Sequence, residues 1–225
     1  MDQIRYSWPR LADRFFQPPS VVLGTTSAQK DPWAFAWPSF RRFDRTLRRS
    51  RYWFRDMTTA MYDPEGWEET PPTERRDPGH YFQRFAARAH ANGFEVIITP
   101  HQSLMSVPGG RCGADPGETE TDAYIRCDIA GQAARFADVV ETQAQGMQAT
   151  PSDYRSFVVA TALQARLANP SVRVISGLTA NGASARQMYA AWDSVRDVVD
   201  GFYLAVGSNG RIPAVVRFLR MLPSS

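Results

Sequence analysis

Asp63 and Glu65 stand two residues apart in Met61-Tyr-Asp-Pro-Glu-Gly-Trp67, where the apolar run Met57–Tyr62 ends. In an extended chain, residues two apart point to the same face. The spacing therefore predicts two carboxyls projecting together from a strand end, with Trp67 beside them. Carboxyl pairs so placed transfer protons, bind metal ions or grip polar ligands. Two acids close enough to repel acquire separated pKa values, which lets one act as acid and the other as base or charge stabiliser. A third acid, Glu141, shares one pleat phase with Val139, Gln143 and Gln145. A buried strand that turns such groups inward must supply partners or solvent, because each unpaired polar group costs roughly 1–3 kcal/mol. Three further strands also end in polar residues: Thr99-Pro-His101-Gln102, Ser176-Gly-Leu-Thr179-Ala-Asn181-Gly182, and Tyr203 followed by Ser208-Asn209. Together these ends predict one shared, solvent-filled hollow in which Trp67, His101, Gln143, Gln145, Asn181 and Tyr203 position a substrate.

Each of these residues also has a plainer use. Asp63 before Pro64 can terminate a strand and open a turn, and Glu65 can be a solvated loop acid. Glu141 and Gln143 can satisfy loop backbones, and a lone histidine such as His101 is commonly an ordinary loop residue. Trp67 can be rim packing or a platform for a sugar ring. Asn181-Gly-Ala-Ser184 can present amides to an anion or simply cap a helix.

The elements that must hold this set are short apolar runs alternating with helical patterns. Met57–Asp63, Phe94–Thr99, Ala137–Gln143, Val172–Gly177 and Gly201–Val206 read as buried strands, and Val21–Thr25 as a sixth. Helices are expected over Tyr81–Asn92 and Thr121–Phe136 (capped at Thr121 or Asp122), from Ser152-Asp153 to Asn169-Pro170, after a Ser184 cap, and over Val215–Leu222. Strands recur every roughly 30 to 45 residues, the length of a strand-helix unit returning to a parallel sheet. The reading is a single α/β domain over residues 1–225, a TIM-like (β/α) barrel with fewer than eight regular strands or with irregular strands in its first 56 residues. An open doubly wound parallel sheet is the alternative. It is disfavoured because no Gly-rich dinucleotide turn follows the first strand and polar residues collect at the strand ends.

At 225 residues and 43% hydrophobic, the chain can bury a substantial core. Its formal charge is +3, and Lys30 is the only lysine. Arg41, Arg42, Arg45, Arg48, Arg49 and Arg51 cluster, interleaved with Phe40, Phe43, Leu47 and Tyr52, as on a solvated helix face with an apolar underside. No nucleic-acid-binding signature accompanies them, so no nucleic-acid partner is expected. Nothing approaches the ~20 apolar residues that span a bilayer, so no membrane partner is expected either. Cys112 and Cys127 either stay free or close a short loop. A disulfide would favour a secreted over a cytoplasmic setting. Neither cysteine has the close spacing of a zinc-ligand pair, and nucleophilic-elbow and P-loop motifs are absent.

Asp63-Pro-Glu65 at a strand terminus, flanked by Tyr62 and Trp67, resembles the Asp-x-Glu strand ends of barrel-type glycoside hydrolases, including the chitinase-like and muramidase-like groups. The longer aspartate-rich signature of the chitinase-like group is missing. The resemblance implies a carbohydrate or similar small-molecule substrate and no cofactor, with Glu65 as proton donor, Asp63 as its electrostatic partner and Glu141 as a second carboxylate. Two other readings stand beside it. Asp63, Glu65, His101 and Glu141 could form an Mg²⁺ or Mn²⁺ site for an isomerase, lyase or phosphoesterase. Alternatively, the barrel could bind a polar ligand without turning it over.

Overall fold

The structure, a computed structural model, describes residues 2–16, 23–24, 34–49, 54, 57–207 and 211–223. Among these residues seven parallel strands pair in chain order: β1 (Leu23–Gly24), β2 (Ala34–Trp37), β3 (Thr59–Tyr62), β4 (Glu95–Ile98), β5 (Val139–Thr142), β6 (Arg173–Thr179) and β7 (Gly201–Ala205). A doubly wound sheet reverses its order at a switch point. Here each strand simply adds beside the last, and the sheet curls into part of a barrel. β1 lies within the expected sixth strand Val21–Thr25, and β2 is a further early strand of the kind the strand count calls for. Of the expected run Val21–Thr25 only Leu23 and Gly24 are described, and Arg51, Tyr52, Ser208 and Asn209 also lie outside the described residues.

The helices are α1 (Asp2–Ser7), α2 (Pro9–Phe15), α3 (Phe40–Arg49), α4 (Pro72–Arg76), α5 (Pro78–His90), α6 (Glu120–Arg126), α7 (Ile129–Ala134), α8 (Pro151–Ala168), α9 (Ala185–Val195) and α10 (Ile212–Met221). The helix expected over Thr121–Phe136 is two helices, because Asp128 takes a left-handed backbone at φ 51° and breaks it. Its cap is Thr119, whose hydroxyl accepts from the Asp122 amide. Cys112 and Cys127 are disulfide-bonded, with Cα atoms 5.9 Å apart, which ties the polar loop to the end of α6. No helix among the described residues is long and apolar enough to cross a membrane.

Strand periodicity divides the core in two. One phase, including Ala60, Tyr62, Val96, Ile98, Val140, Val174 and Leu178, joins the large cluster shared with the helices. Tyr62 lies flat on Phe85 of α5 at 4.8 Å and edge-on to Phe82 at 6.1 Å. The opposite phase forms a small inner cluster of Met61, Ile97 and Val139, against which Ala36 and Ile175 pack. Register places Met61 beside Ala36 and Ile97, and Val139 beside Ile97. Two residues further along the same strands come Asp63, Thr99, Glu141 and Gly177. The inner apolar layer is therefore followed by a polar one at the strands' C-terminal ends.

Asn181-Gly-Ala-Ser184 serves α9. The Ser184 hydroxyl accepts from the Gln187 amide, and the Gln187 side chain accepts from the Ser184 amide, a complete capping box. Ser184→Ala should lower stability by about 1 kcal/mol in urea denaturation.

Candidate active site

Asp63 continues the ladder past β3, its amide donating to the Trp37 carbonyl at 2.9 Å. Its Oδ1 accepts from Thr99 Oγ1 at 3.1 Å and from Gln143 Nε2 at 2.8 Å. Gln143 also donates to the Thr99 carbonyl at 2.7 Å, so its amide locks the ends of β3, β4 and β5 together. The Gln102 side chain fixes Gln143 in turn by donating to its backbone carbonyl at 2.8 Å. Burial pushes Asp63 up to about 6, while the hydrogen bonds from Thr99 and Gln143 hold it back.

Glu65 sits half-buried on the loop that follows. That loop is pinned by its backbone: the Glu65 amide donates to Thr70 Oγ1, the Gly66 amide to Ser103 Oγ, and Arg75 donates to the Gly66 carbonyl. The Glu65 carboxyl itself takes part in no hydrogen bond or ion pair among the described residues. Burial first, then the neighbouring charges of Asp63 and Glu69, push it up to about 7. A fixed backbone carrying an uncommitted carboxyl is the arrangement expected of a group that meets a ligand.

Glu141 is 1% exposed. Burial chiefly, and then the charge of Asp63, raise its pKa well above the carboxylate range. Hydrogen bonds to Thr99 and Gln145 oppose the shift, and Glu65 adds a smaller push upward. Gln145 Nε2 donates to its Oε1 at 3.2 Å. Gly177 of β6 makes room for this pair: a Cβ there would stand 2.6 Å from Glu141 Oε1 and 2.6 Å from the Gln145 amide nitrogen. Tyr203 stands opposite Gly177 in register. Burial, then Glu141 and Asp63, raise its hydroxyl pKa.

His101 joins through Ser103. Its Nδ1 accepts from the Ser103 amide at 3.0 Å and lies 2.7 Å from Ser103 Oγ, which also accepts from Gly66. Nδ1 is thus an acceptor and Nε2 carries the proton. Burial lowers the imidazole pKa, opposed by the charge of Glu120. Trp67, 45% exposed, rides on the Glu65 loop. Asn181 lies exposed in the α9 cap turn, where its amide donates to Thr179 Oγ1.

The structure thus gathers Asp63, Glu65, Glu141, Gln143, Gln145 and Tyr203, with His101 and Trp67 on the adjoining loops and Asn181 serving a turn. Sequence reasoning passed over Thr99, Ser103 and Gly177 as working parts. Thr99 was within reach, since it continues the phase of Ile97. Ser103 and Gly177 act through contacts between separate segments, which spacing does not reveal. Among the described residues no three His, Cys, Asp or Glu side chains are grouped to hold a metal ion, so Asp63, Glu65, His101 and Glu141 do not form a coordination sphere.

No protein-family model matches the chain, and no curated protein matches it. Among solved structures the chain is similar to virulence factor SghA from Agrobacterium tumefaciens, with a TM-score of 0.40 and 14% sequence identity. The likeness covers 84% of this chain and 55% of that one, so the chain spans about half the length of that structure.

Proposed function

We propose that this chain hydrolyses a glycosidic or similar bond by carboxylate acid/base catalysis at the C-terminal ends of its strands. The observation that carries the reading is the uncommitted, half-buried carboxyl of Glu65 beside the hydrogen-bonded carboxyl of Asp63. With the pair at about 7 and about 6, the interval between holds Glu65 protonated and Asp63 ionised. Glu65 gives its proton to the leaving oxygen as the bond to the sugar carbon breaks. Asp63, aimed by Thr99 and Gln143, faces the positive charge that develops on the ring. Water adds to that carbon and returns a proton to Glu65. Glu141, whose burial raises its pKa and shuts it away from solvent, is badly placed to receive a proton from water. Its role in this reading is positional, keeping Gln145 in place. Trp67 offers a face for ring stacking, and His101 Nε2–H and the Tyr203 hydroxyl offer hydrogen bonds to a carbohydrate or similar small molecule. The sheet is read as the larger part of a closed (β/α) barrel, whose C-terminal strand ends form the usual active face.

A panel of chromogenic aryl glycosides, covering hexoses, N-acetylhexosamines and pentoses, tests the proposal. Because the reaction needs Asp63 charged and Glu65 neutral, kcat/KM should follow a narrow bell centred between pH 6 and pH 7. A profile flat across both limbs, or no turnover on any member, would overturn it. The exposed Trp67 favours one second reading, a sugar-binding barrel without turnover. In that case Asp63→Asn and Glu65→Gln would leave sugar affinity largely unchanged in calorimetry.

A further inference from the structure

A second recess lies on the helix side of β3. It is a groove of about 430 Å³ between α3 and the α4–α5 segment, walled by Phe40, Arg41, Arg45, Arg48, Tyr81 and Arg84, with Asp44 and Glu74 also lining it. Arg41, Arg45 and Arg48 fall at helical spacing on one side of α3, and all four arginines are exposed.

The balance of charge in this groove is uneven, because both of its acids are already committed. Asp44 pairs with Arg48 at 2.8 Å through one oxygen and with Arg88 at 3.0 Å through the other. Glu74 is buried and accepts from the Phe40 amide at 2.7 Å, the Arg41 amide at 3.0 Å, Ser39 Oγ at 3.1 Å and the Tyr62 hydroxyl at 2.8 Å. It thereby fills the anion position at the start of α3 from within the protein. Arg41, Arg45 and Arg84 have no acidic partner among the described residues. Arg84 is also held in place: its guanidinium lies 4.7 Å over the Phe40 ring and 5.7 Å from that of Tyr81. A planar donor fork fixed against aromatic rings, with its outward N–H groups free, suits tetrahedral oxyanions and needs little further ordering to bind one.

We propose that this groove binds a small polyanion carrying phosphate or sulfate groups. The volume falls within the usual range of ligand pockets, about 300–1,000 Å³. The site is separate from the carboxylate cluster, since Asp63 faces the opposite side of the sheet from Tyr62 and Glu74.

Isothermal titration of the full chain with pyrophosphate, and in parallel with sulfate, at constant ionic strength, tests this. Saturable one-to-one binding of pyrophosphate is expected. Arg84→Gln should weaken it about tenfold or more. Arg84→Lys, which keeps the charge but loses the fork, should fall between the two. Arg186→Gln on α9 and Glu65→Gln should bind as the unaltered chain does. Arg84 is exposed, so its variants keep the fold, which circular dichroism checks. Absence of saturable binding, or equal affinity in Arg84→Gln, would overturn the proposal. So would a duplex oligonucleotide that binds the same arginines while pyrophosphate does not.

Discussion

Glu65→Gln is expected to cut kcat by about 10²–10⁴-fold on a glycoside with a poor leaving group, while KM stays within a few-fold. Glutamine keeps the shape and can still hydrogen-bond, but it cannot give up a proton to the departing oxygen. Because the Glu65 carboxyl is tied to nothing among the described residues, the change removes no structural contact, and the protein should lose no thermal stability. The loss should shrink as the leaving group becomes more acidic, since a good leaving group departs without protonation. Asp63→Asn should also lower kcat, with a second, different signature. The Asp63 charge is one of the causes raising Glu65. Removing it lowers the Glu65 pKa and moves the alkaline limb of the pH profile to lower pH. Unchanged turnover in Glu65→Gln would remove the proposed acid from the mechanism. An unmoved alkaline limb in Asp63→Asn would show that the two carboxyls are not coupled.

The strands were legible because each carries its own signal. Ala60-Met-Tyr62 within Met57–Asp63 and Val139-Val140 within Ala137–Gln143 are apolar in both phases until the polar ends begin, as a sheet covered on two faces requires. The register that makes Asp63, Thr99, Glu141 and Gly177 one layer follows from that same alternation once the strands pair in order. β2 was hidden: Ala34-Phe-Ala-Trp37 is four residues between prolines, and only the count of strands called for it. The break between α6 and α7 was hidden for another reason, since Asp128 in a left-handed turn leaves the apolar spacing on either side intact. In the sequence Glu74 is one acid among several in the proline-rich stretch Glu68-Glu-Thr-Pro-Pro-Thr-Glu74. Its four hydrogen bonds come from Ser39, Phe40, Arg41 and Tyr62, partners that only the fold brings near. Local pattern reveals which face a side chain takes. It does not reveal which distant donor that side chain meets, and on that point Glu74 and Glu65 differ: the first is saturated, the second without a partner among the described residues.

That difference yields a further expected result: Asp63→Asn stabilises the protein at alkaline pH. Burial raises the Asp63 pKa from 3.8 to about 6, so the folded state favours its neutral form. The contribution is fully present below the unfolded value and is lost as pH rises through about 6. At pH 8 the unaltered chain carries an ionised carboxyl that its surroundings disfavour. Asparagine accepts the same hydrogen bonds from Thr99 and Gln143 without that charge. Urea denaturation should show Asp63→Asn more stable by about 1–3 kcal/mol at pH 8 and equal to the unaltered chain at pH 4. Glu65 and Glu141 are raised in the same direction, so their amide variants should gain stability on the same side of neutrality. A residue kept for folding behaves in the opposite sense: its replacement destabilises, as removing the donors' shared acceptor at Glu74 would. If Asp63→Asn weakens the fold equally at both pH values, Asp63 is a structural clamp between β3, β4 and β5. If it strengthens the fold at pH 8 while abolishing turnover, the chain holds that charge at a cost in stability, and the purpose of the carboxylate cluster is chemical.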